Sequence, residues 1–138
     1  MTKRDLKFDS VAKAVSKTST YGKILIGAII VYKREIISVG ANCRKTHPLQ
    51  MLYDRYRDSS VDWCHHYLHA EMNAIIHADK EYLPNSVIYI FREDRNGKIA
   101  NCRPCEACMN MIKDVGIKKI YYTTRDGFCV EELGRNEV

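Results

Sequence analysis

The sequence predicts an α/β domain in which strands and helices alternate in layers. Two observations indicate this class. Short apolar runs are bounded by turn residues, and other segments repeat apolar residues at the helical spacing i, i+3, i+4, i+7. After an initial helix, the elements follow in the order β-β-α-β-α-β, which requires strands joined by crossover helices. No repeat or linker divides the chain, so residues 1–138 are expected to form one domain.

The N-terminal part predicts one helix and one strand hairpin. Residues 8–15 carry apolar side chains at the helical spacing and predict an amphipathic helix. The apolar run 24–31 predicts a buried strand, and 35–41 predicts its partner after a tight turn near 33–34. A long polar stretch, residues 42–68, follows with no element assigned to it.

The C-terminal part alternates helices with strands. The helices are predicted at 69–78 and 105–115, and the strands at 87–91 and 118–123. Pro104 is expected in the first turn of the second helix, because that turn tolerates a missing N–H group. Gly116 follows this helix as a stop signal. The loop at 92–103, between the strand at 87–91 and the second helix, is expected to bend at Asn96 and Gly97.

Two short motifs in this part carry metal chemistry. His69 and Glu71 form His-x-Glu, and Cys105 and Cys108 follow in Pro-Cys-x-x-Cys. The two cysteines share a helix face, and a helix N-terminus favours their thiolate forms. If the two helix starts converge, His69, Cys105 and Cys108 hold one zinc ion and leave a fourth position for water, which is the catalytic pattern. Glu71 is then free to move protons.

The pairing of these motifs is typical of zinc-dependent nucleobase deaminases. Through HAEMNAIIHA and PCEAC the chain resembles the cytidine/deoxycytidylate deaminase superfamily, and within it the dCMP deaminase branch with its phage-type members. The resemblance covers residues 24–123, most of the chain. It implies a mixed five-stranded sheet sandwiched by helices and a Zn²⁺ cofactor. The implied reaction is hydrolytic deamination of a cytosine nucleotide, dCMP to dUMP plus ammonia.

The predicted substrate contacts lie around these motifs. They are Asn42, Arg44, Lys45, His47, Ala70 and Tyr122. The resemblance implies that Asn42 helps to hold the sugar. The basic segment after it replaces the glycine-rich segment expected for the branch, and it either binds a nucleotide phosphate or is a solvated loop. Residues alternate across a strand, so one of Tyr121 and Tyr122 is expected to reach the pocket.

The composition indicates which partners and which cellular compartment to expect. The net charge of +5 suits an anionic partner, either a small nucleotide or a nucleic acid, and equally suits a soluble basic surface. No apolar run approaches the length of a membrane span. The N-terminus has no apolar region typical of a secretory signal, so the six cysteines are expected to be thiols or metal ligands in the cytoplasm. A homo-oligomer is expected.

Other functions use the same motifs. A deaminase could act instead on a nucleoside or on a base in RNA or single-stranded DNA. The channel wall would then be formed by Arg55, Arg57, Trp63 and Tyr67. A non-catalytic zinc-binding interaction domain is a further alternative, against which Glu71 argues because zinc binding alone does not need it. A second, structural zinc site would draw on His47, Cys64, His65, His66 and Cys102, although ordinary loop side chains explain that cluster more simply.

Overall fold

The computed structural model describes residues 1–21, 24–45, 47–53 and 67–134. Four α-helices are described: α1 (Lys3–Ser16), α2 (Pro48–Tyr53), α3 (Ala70–His77) and α4 (Glu106–Asp114). Five strands are described: β1 (Leu25–Tyr32), β2 (Glu35–Ala41), β3 (Val87–Glu93), β4 (Lys119–Thr124) and β5 (Gly127–Glu132). A single 3₁₀ turn, Lys80–Tyr82, follows α3. In this part of the chain no helix has the length and apolarity to span a membrane.

The five strands form one sheet in the order β2-β1-β3-β4-β5. The β3–β4 pair is parallel and the other three pairs are antiparallel, so the sheet is mixed. A parallel pair needs a crossover, and α4 lies in the connection between β3 and β4. The predicted class, a mixed five-stranded sheet sandwiched by helices, is confirmed.

Alternate residues of β1 face two separate apolar cores. Ile29 and Val31 pack with Phe8 of α1 on one face. Ala28 and Ile30 face the other side, where the core includes buried residues of α3 and α4. This alternation follows from the two-residue period of a strand. The helices that carry the candidate metal ligands therefore lie together on the face opposite α1.

A close contact between β2 and α3 fixes the height of α3 above the sheet. A Cβ atom at Gly40 would lie 2.4 Å from the backbone nitrogen of Ala74, well inside van der Waals contact. Only glycine admits so close an approach. Ser38, two residues earlier on the same face, donates its hydroxyl to the Ala74 carbonyl at 2.6 Å. The first turn of α3 is thus seated directly against the sheet.

Several elements differ from the sequence predictions. Helix α4 begins at Glu106 with Cys105 as its N-cap, so Pro104 precedes the helix and the prediction that placed it in the first turn is wrong. Strand β3 extends two residues further than predicted, to Glu93. The polar stretch contains a helix, α2, that was not predicted. The last strand, β5, was not assigned from its own residues, although the resemblance implied five strands.

Candidate active site

The starts of α3 and α4 converge, which is the condition under which the two motifs would form one metal site. His69 is the N-cap of α3, Cys105 is the N-cap of α4, and Cys108 lies in the first turn of α4. The Nδ1 atom of His69 is 3.6 Å from the Cys105 Sγ and 3.3 Å from the Cys108 Sγ. All three ligand atoms lie within 4.8 Å of one another. Among the described residues, this is the group that could hold a metal ion.

The donor set fits a tetrahedral zinc ion. Zinc–nitrogen bonds of about 2.0 Å and zinc–sulfur bonds of about 2.3 Å separate tetrahedral N and S ligands by about 3.5 Å. The distances from His69 Nδ1 to the two sulfurs, 3.6 and 3.3 Å, bracket that value. Imidazole nitrogen and two thiolates are also the donors that zinc prefers. Three protein ligands leave one coordination position open.

The protonation of the two cysteines suits metal binding. The pKa of Cys105 is lowered to about 4, chiefly by a hydrogen bond from the Cys108 thiol and also by His69. The same shared proton raises the pKa of Cys108. The lowered pKa favours the thiolate form of Cys105, and a bound metal cation would take the place of the proton between the two sulfurs.

Glu71 lies beside the ligand group without belonging to it. It is in the first turn of α3, two residues after His69, and is 5% exposed. Glu71 is close enough to Cys108 for each side chain to influence the pKa of the other. Burial is the largest influence on the pKa of Glu71 and raises it, while the charge of His69 opposes the shift. A buried carboxyl with a raised pKa next to an open metal position has the properties of a proton shuttle.

The chain that leads into His69 is held by backbone hydrogen bonds. Cys43 and Leu68 form an isolated antiparallel bridge, in which the Cys43 N–H donates to the Leu68 carbonyl at 3.0 Å. The Leu68 N–H donates to the Lys45 carbonyl at 2.8 Å. The predicted phosphate-binding segment is thereby anchored one residue before His69. The side chains of Arg44 and Lys45 are exposed at this position.

Of three other predicted substrate contacts, two are hydrogen-bonded within the protein and one is buried. Asn42 is 1% exposed, and its side chain bonds the backbone of Ile24 and Ile26 at 2.6 and 3.0 Å. The Nδ1 atom of His47 accepts a hydrogen bond from the Leu49 N–H at 3.1 Å. Ala70 is fully buried as the first residue of α3. The structure thus shows Asn42 as a brace between β1 and β2, and contact of these residues with substrate stays a prediction.

Tyr122 joins a polar cluster on β4 and β5. Its hydroxyl donates to the Glu131 carboxylate at 2.7 Å, and the tyrosine is 8% exposed. The guanidinium of Arg103 makes two bonds to the same carboxylate, at 2.7 and 3.1 Å. Because Arg103 lies two residues before Cys105, this cluster supports the approach to α4. The substrate contact of Tyr122 also stays a prediction.

The possible second zinc site finds no support at Cys102. Its thiol is buried and lies 3.1 Å from the Thr123 hydroxyl and 3.5 Å from the Ile90 carbonyl. Burial raises the pKa of Cys102 to about 12, so it stays a thiol. Six other candidates of the two alternative sites lie outside the described residues: Arg55, Arg57, Trp63, Cys64, His65 and His66. Tyr67 is described, and its ring lies 4.3 Å from the ring of Tyr21 and 4.8 Å from that of His69.

The sequence did not predict one contact to the metal-ligand group. Gln50 of α2 is fully buried, and its side-chain carbonyl accepts the backbone N–H of His69 at 3.1 Å. A single amide in a polar stretch has no periodic pattern that would mark it. The only available signal was the position of the stretch, which ends directly before His69.

Comparison with known proteins agrees with this geometry. The model of the cytidine and deoxycytidylate deaminase zinc-binding region matches residues 2–124. The deoxycytidylate deaminase of Mycobacterium phage D29 is 27% identical over 128 residues, covering 86% of this chain and 92% of that protein. The dCMP deaminase of cyanophage S-TIM5, solved with dCMP and dUMP, superposes with a TM-score of 0.58 at 22% identity, covering 88% and 83% of the two chains. Cytidine deaminase from Burkholderia pseudomallei superposes with a TM-score of 0.63 at 20% identity, covering 96% of this chain and 93% of that chain.

Three observations together define the class of protein: the mixed sheet, the imidazole and two thiols at two helix starts, and the family match. The class is that of the zinc-dependent hydrolytic deaminases. The chain belongs to the cytidine and deoxycytidylate deaminase family. The resemblance stated from its motifs is confirmed, and so are the fold and the zinc cofactor.

Proposed function

We propose that this protein hydrolyses dCMP to dUMP and ammonia, with zinc held by His69, Cys105 and Cys108 and with Glu71 as the proton shuttle. The observation that carries the proposal is the ligand triplet with a buried carboxyl beside it. A zinc-binding interaction domain would need the three ligands only. It would gain nothing from a carboxyl whose burial is unfavourable for its charged form.

Zinc, when bound at such a site, lowers the pKa of water enough to supply a nucleophile at neutral pH. Glu71 would carry the two protons of this water in turn: the first to the ring nitrogen, and the second, from the hydroxyl added at C4, to the departing amine. One water is consumed, the bond between C4 and the amine breaks, and ammonia leaves as the C4 carbonyl forms. Because Glu71 is buried, bulk water does not compete with the substrate for its proton.

The choice of a monophosphate is supported by the basic segment beside the site. Arg44 and Lys45 are exposed, and the backbone of Lys45 is paired with Leu68 directly before His69. A guanidinium and an ammonium group suit a dianionic phosphate. Relatives named as deoxycytidylate deaminases, from phage D29 and cyanophage S-TIM5, support the deoxyribonucleotide.

The test is an ultraviolet assay of the zinc-loaded protein on cytosine, cytidine, deoxycytidine, CMP and dCMP. We expect the highest kcat/KM for dCMP, and loss of activity when the metal is removed with a chelator and its return with zinc. Equal kcat/KM for deoxycytidine and dCMP would contradict the proposed monophosphate. Activity confined to a single-stranded oligonucleotide would favour an enzyme acting on nucleic acid.

Replacing Arg44 and Lys45 together with alanine should raise KM for dCMP by about tenfold or more, since each charge-assisted bond to phosphate is worth about 1.5–3 kcal/mol when well formed. Steady-state kinetics on dCMP and on deoxycytidine measure the two KM values. The KM for deoxycytidine, which has no phosphate, should change little. The matched control replaces Lys80 and Lys98, which are exposed elsewhere. Equal losses on both substrates would show that the segment has only a structural role.

We also propose that residues 1–138 form a single domain of a cytoplasmic homo-oligomer. The five cysteines of the described ranges are free, which suits a reducing compartment. Both edge strands present exposed apolar side chains that association of copies would cover. They are Ile36 and Val39 on β2 and Phe128 and Val130 on β5. Sedimentation equilibrium at several concentrations measures the oligomeric state.

A further inference from the structure

We infer that Gln50 is a positioning residue that sets the place of the metal-ligating imidazole of His69. Nothing in the metal-ligand motifs identifies it, because it lies nineteen residues before His69 in the chain. The inference rests on the proposed zinc site. Its basis is the hydrogen bond between α2 and the start of α3, together with the unusual orientation of α2.

The backbone of His69 is held at both of its polar groups. Its N–H donates to the Gln50 side-chain carbonyl at 3.1 Å, and its carbonyl accepts the Asn73 N–H at 2.9 Å as part of α3. The His69 side chain makes no cap hydrogen bond to α3, unlike the serine or aspartate usual at an N-cap. Its ring is directed to the two cysteines instead. Backbone placement therefore decides where Nδ1 lies.

Helix α2 buries its amide and exposes its apolar side chains. Gln50 is 0% exposed, whereas Leu49, Met51 and Leu52 are 36%, 52% and 49% exposed. Burial of apolar surface would orient this helix the other way. A buried amide is costly unless it forms hydrogen bonds, so the bond to His69 is a strong constraint on how α2 sits.

The far end of α2 has an independent anchor on the other metal-binding helix. The hydroxyl of Tyr53 donates to the Asp114 carboxylate at the end of α4, at 2.6 Å. The short helix thus joins the start of α3 to the end of α4. The two anchors can be removed separately, which allows a test of whether Gln50 acts on His69 or merely helps α2 to fold.

The test replaces Gln50 with methionine, which keeps the length of the side chain and removes the acceptor. Zinc affinity is measured by competition with a chromophoric chelator, and metal geometry by the d–d absorption of the Co²⁺-substituted protein. We expect zinc binding to weaken roughly tenfold to hundredfold, as for other groups that orient a metal ligand, with an altered Co²⁺ spectrum. The variant Gln50→Glu retains an acceptor oxygen and should recover most of the affinity.

The control is Tyr53→Phe, which removes the second anchor of α2 and leaves Gln50 in place. It should lower Tm without changing the Co²⁺ spectrum. Unchanged zinc affinity and spectrum in Gln50→Met, in a wild-type background that binds zinc, would overturn the inference and leave the proposed function intact. Failure of the wild-type protein to bind zinc would instead overturn the proposed function. If Gln50→Met does not fold, equal loss of zinc in Gln50→Glu and Tyr53→Phe would also count against the specific role.

Discussion

Replacing Glu71 with glutamine should lower turnover on dCMP by at least roughly 10²–10⁴-fold, the range assigned to general acid–base catalysis. A larger loss is expected because one carboxyl serves several proton transfers. Glutamine keeps the shape of the side chain and cannot take a proton from water. Steady-state and single-turnover kinetics measure the loss. Zinc should remain bound, because His69, Cys105 and Cys108 are unchanged and Glu71 is not among the ligand atoms.

The matched control for this change is Glu106→Gln. Glu106 also lies in the first turn of a helix at the site, next to Cys105, but its side chain is exposed. Its variant should retain turnover within a few fold and the same zinc content. Near-wild-type turnover in Glu71→Gln would show that another group moves the protons. A loss in Glu71→Gln accompanied by loss of zinc would show that the carboxylate acts as a ligand.

The fold was predictable where local patterns and tertiary structure agree. The hairpin of β1 and β2 was predicted from two apolar runs that are separated by two charged residues, Lys33 and Arg34. Both residues adopt positive φ, 47° and 72°, in the turn. Such turns usually contain asparagine or glycine, so the strand pattern rather than the turn residues marked this hairpin.

The two elements that were missed lack an apolar pattern of their own. Helix α2 buries Gln50 and exposes Leu49, Met51 and Leu52, which inverts the usual signal. Strand β5 lies at the sheet edge, and its outward residues Phe128 and Val130 are 39% and 51% exposed. Helix α2 is held by contacts with His69 and Asp114, which a window along the chain does not contain. Strand β5 instead pairs with β4, the strand directly before it, and was missed because its apolar residues face outward at the sheet edge.

The candidate metal ligands were predictable for a different reason. Zinc restricts both the donor types and their spacing on a helix, so Cys105 and Cys108 carry a local signature and His69 with Glu71 another. The convergence of the two signatures is confirmed by the geometry. The contact of Gln50 with His69 was not predictable, because any residue able to accept an N–H group could supply it from any part of the chain.

Replacing Cys105 with alanine should abolish stoichiometric zinc binding and, with it, deamination. Two remaining donors, His69 and Cys108, do not provide the three-ligand site that holds a catalytic zinc ion. The loss also removes the partner whose thiolate shares the proton of Cys108. Metal analysis after dialysis measures zinc content. Thermal unfolding with and without added zinc should show a rise in Tm for the wild-type protein alone, because only a metal that binds the folded state stabilises it.

The matched control for this variant is Cys102→Ala, which removes a buried thiol three residues earlier on the chain. Cys102 contacts Thr123 and Ile90 and lies outside the ligand group. The Cys102→Ala protein should keep one zinc per chain, its activity and the rise of Tm with zinc. Its Tm without zinc should be somewhat lower, because the substitution leaves a small cavity. Full zinc occupancy and activity in Cys105→Ala would refute the assigned ligand set. Loss of zinc in both variants would indicate that the metal depends on the fold of the loop before α4 rather than on the Cys105 sulfur.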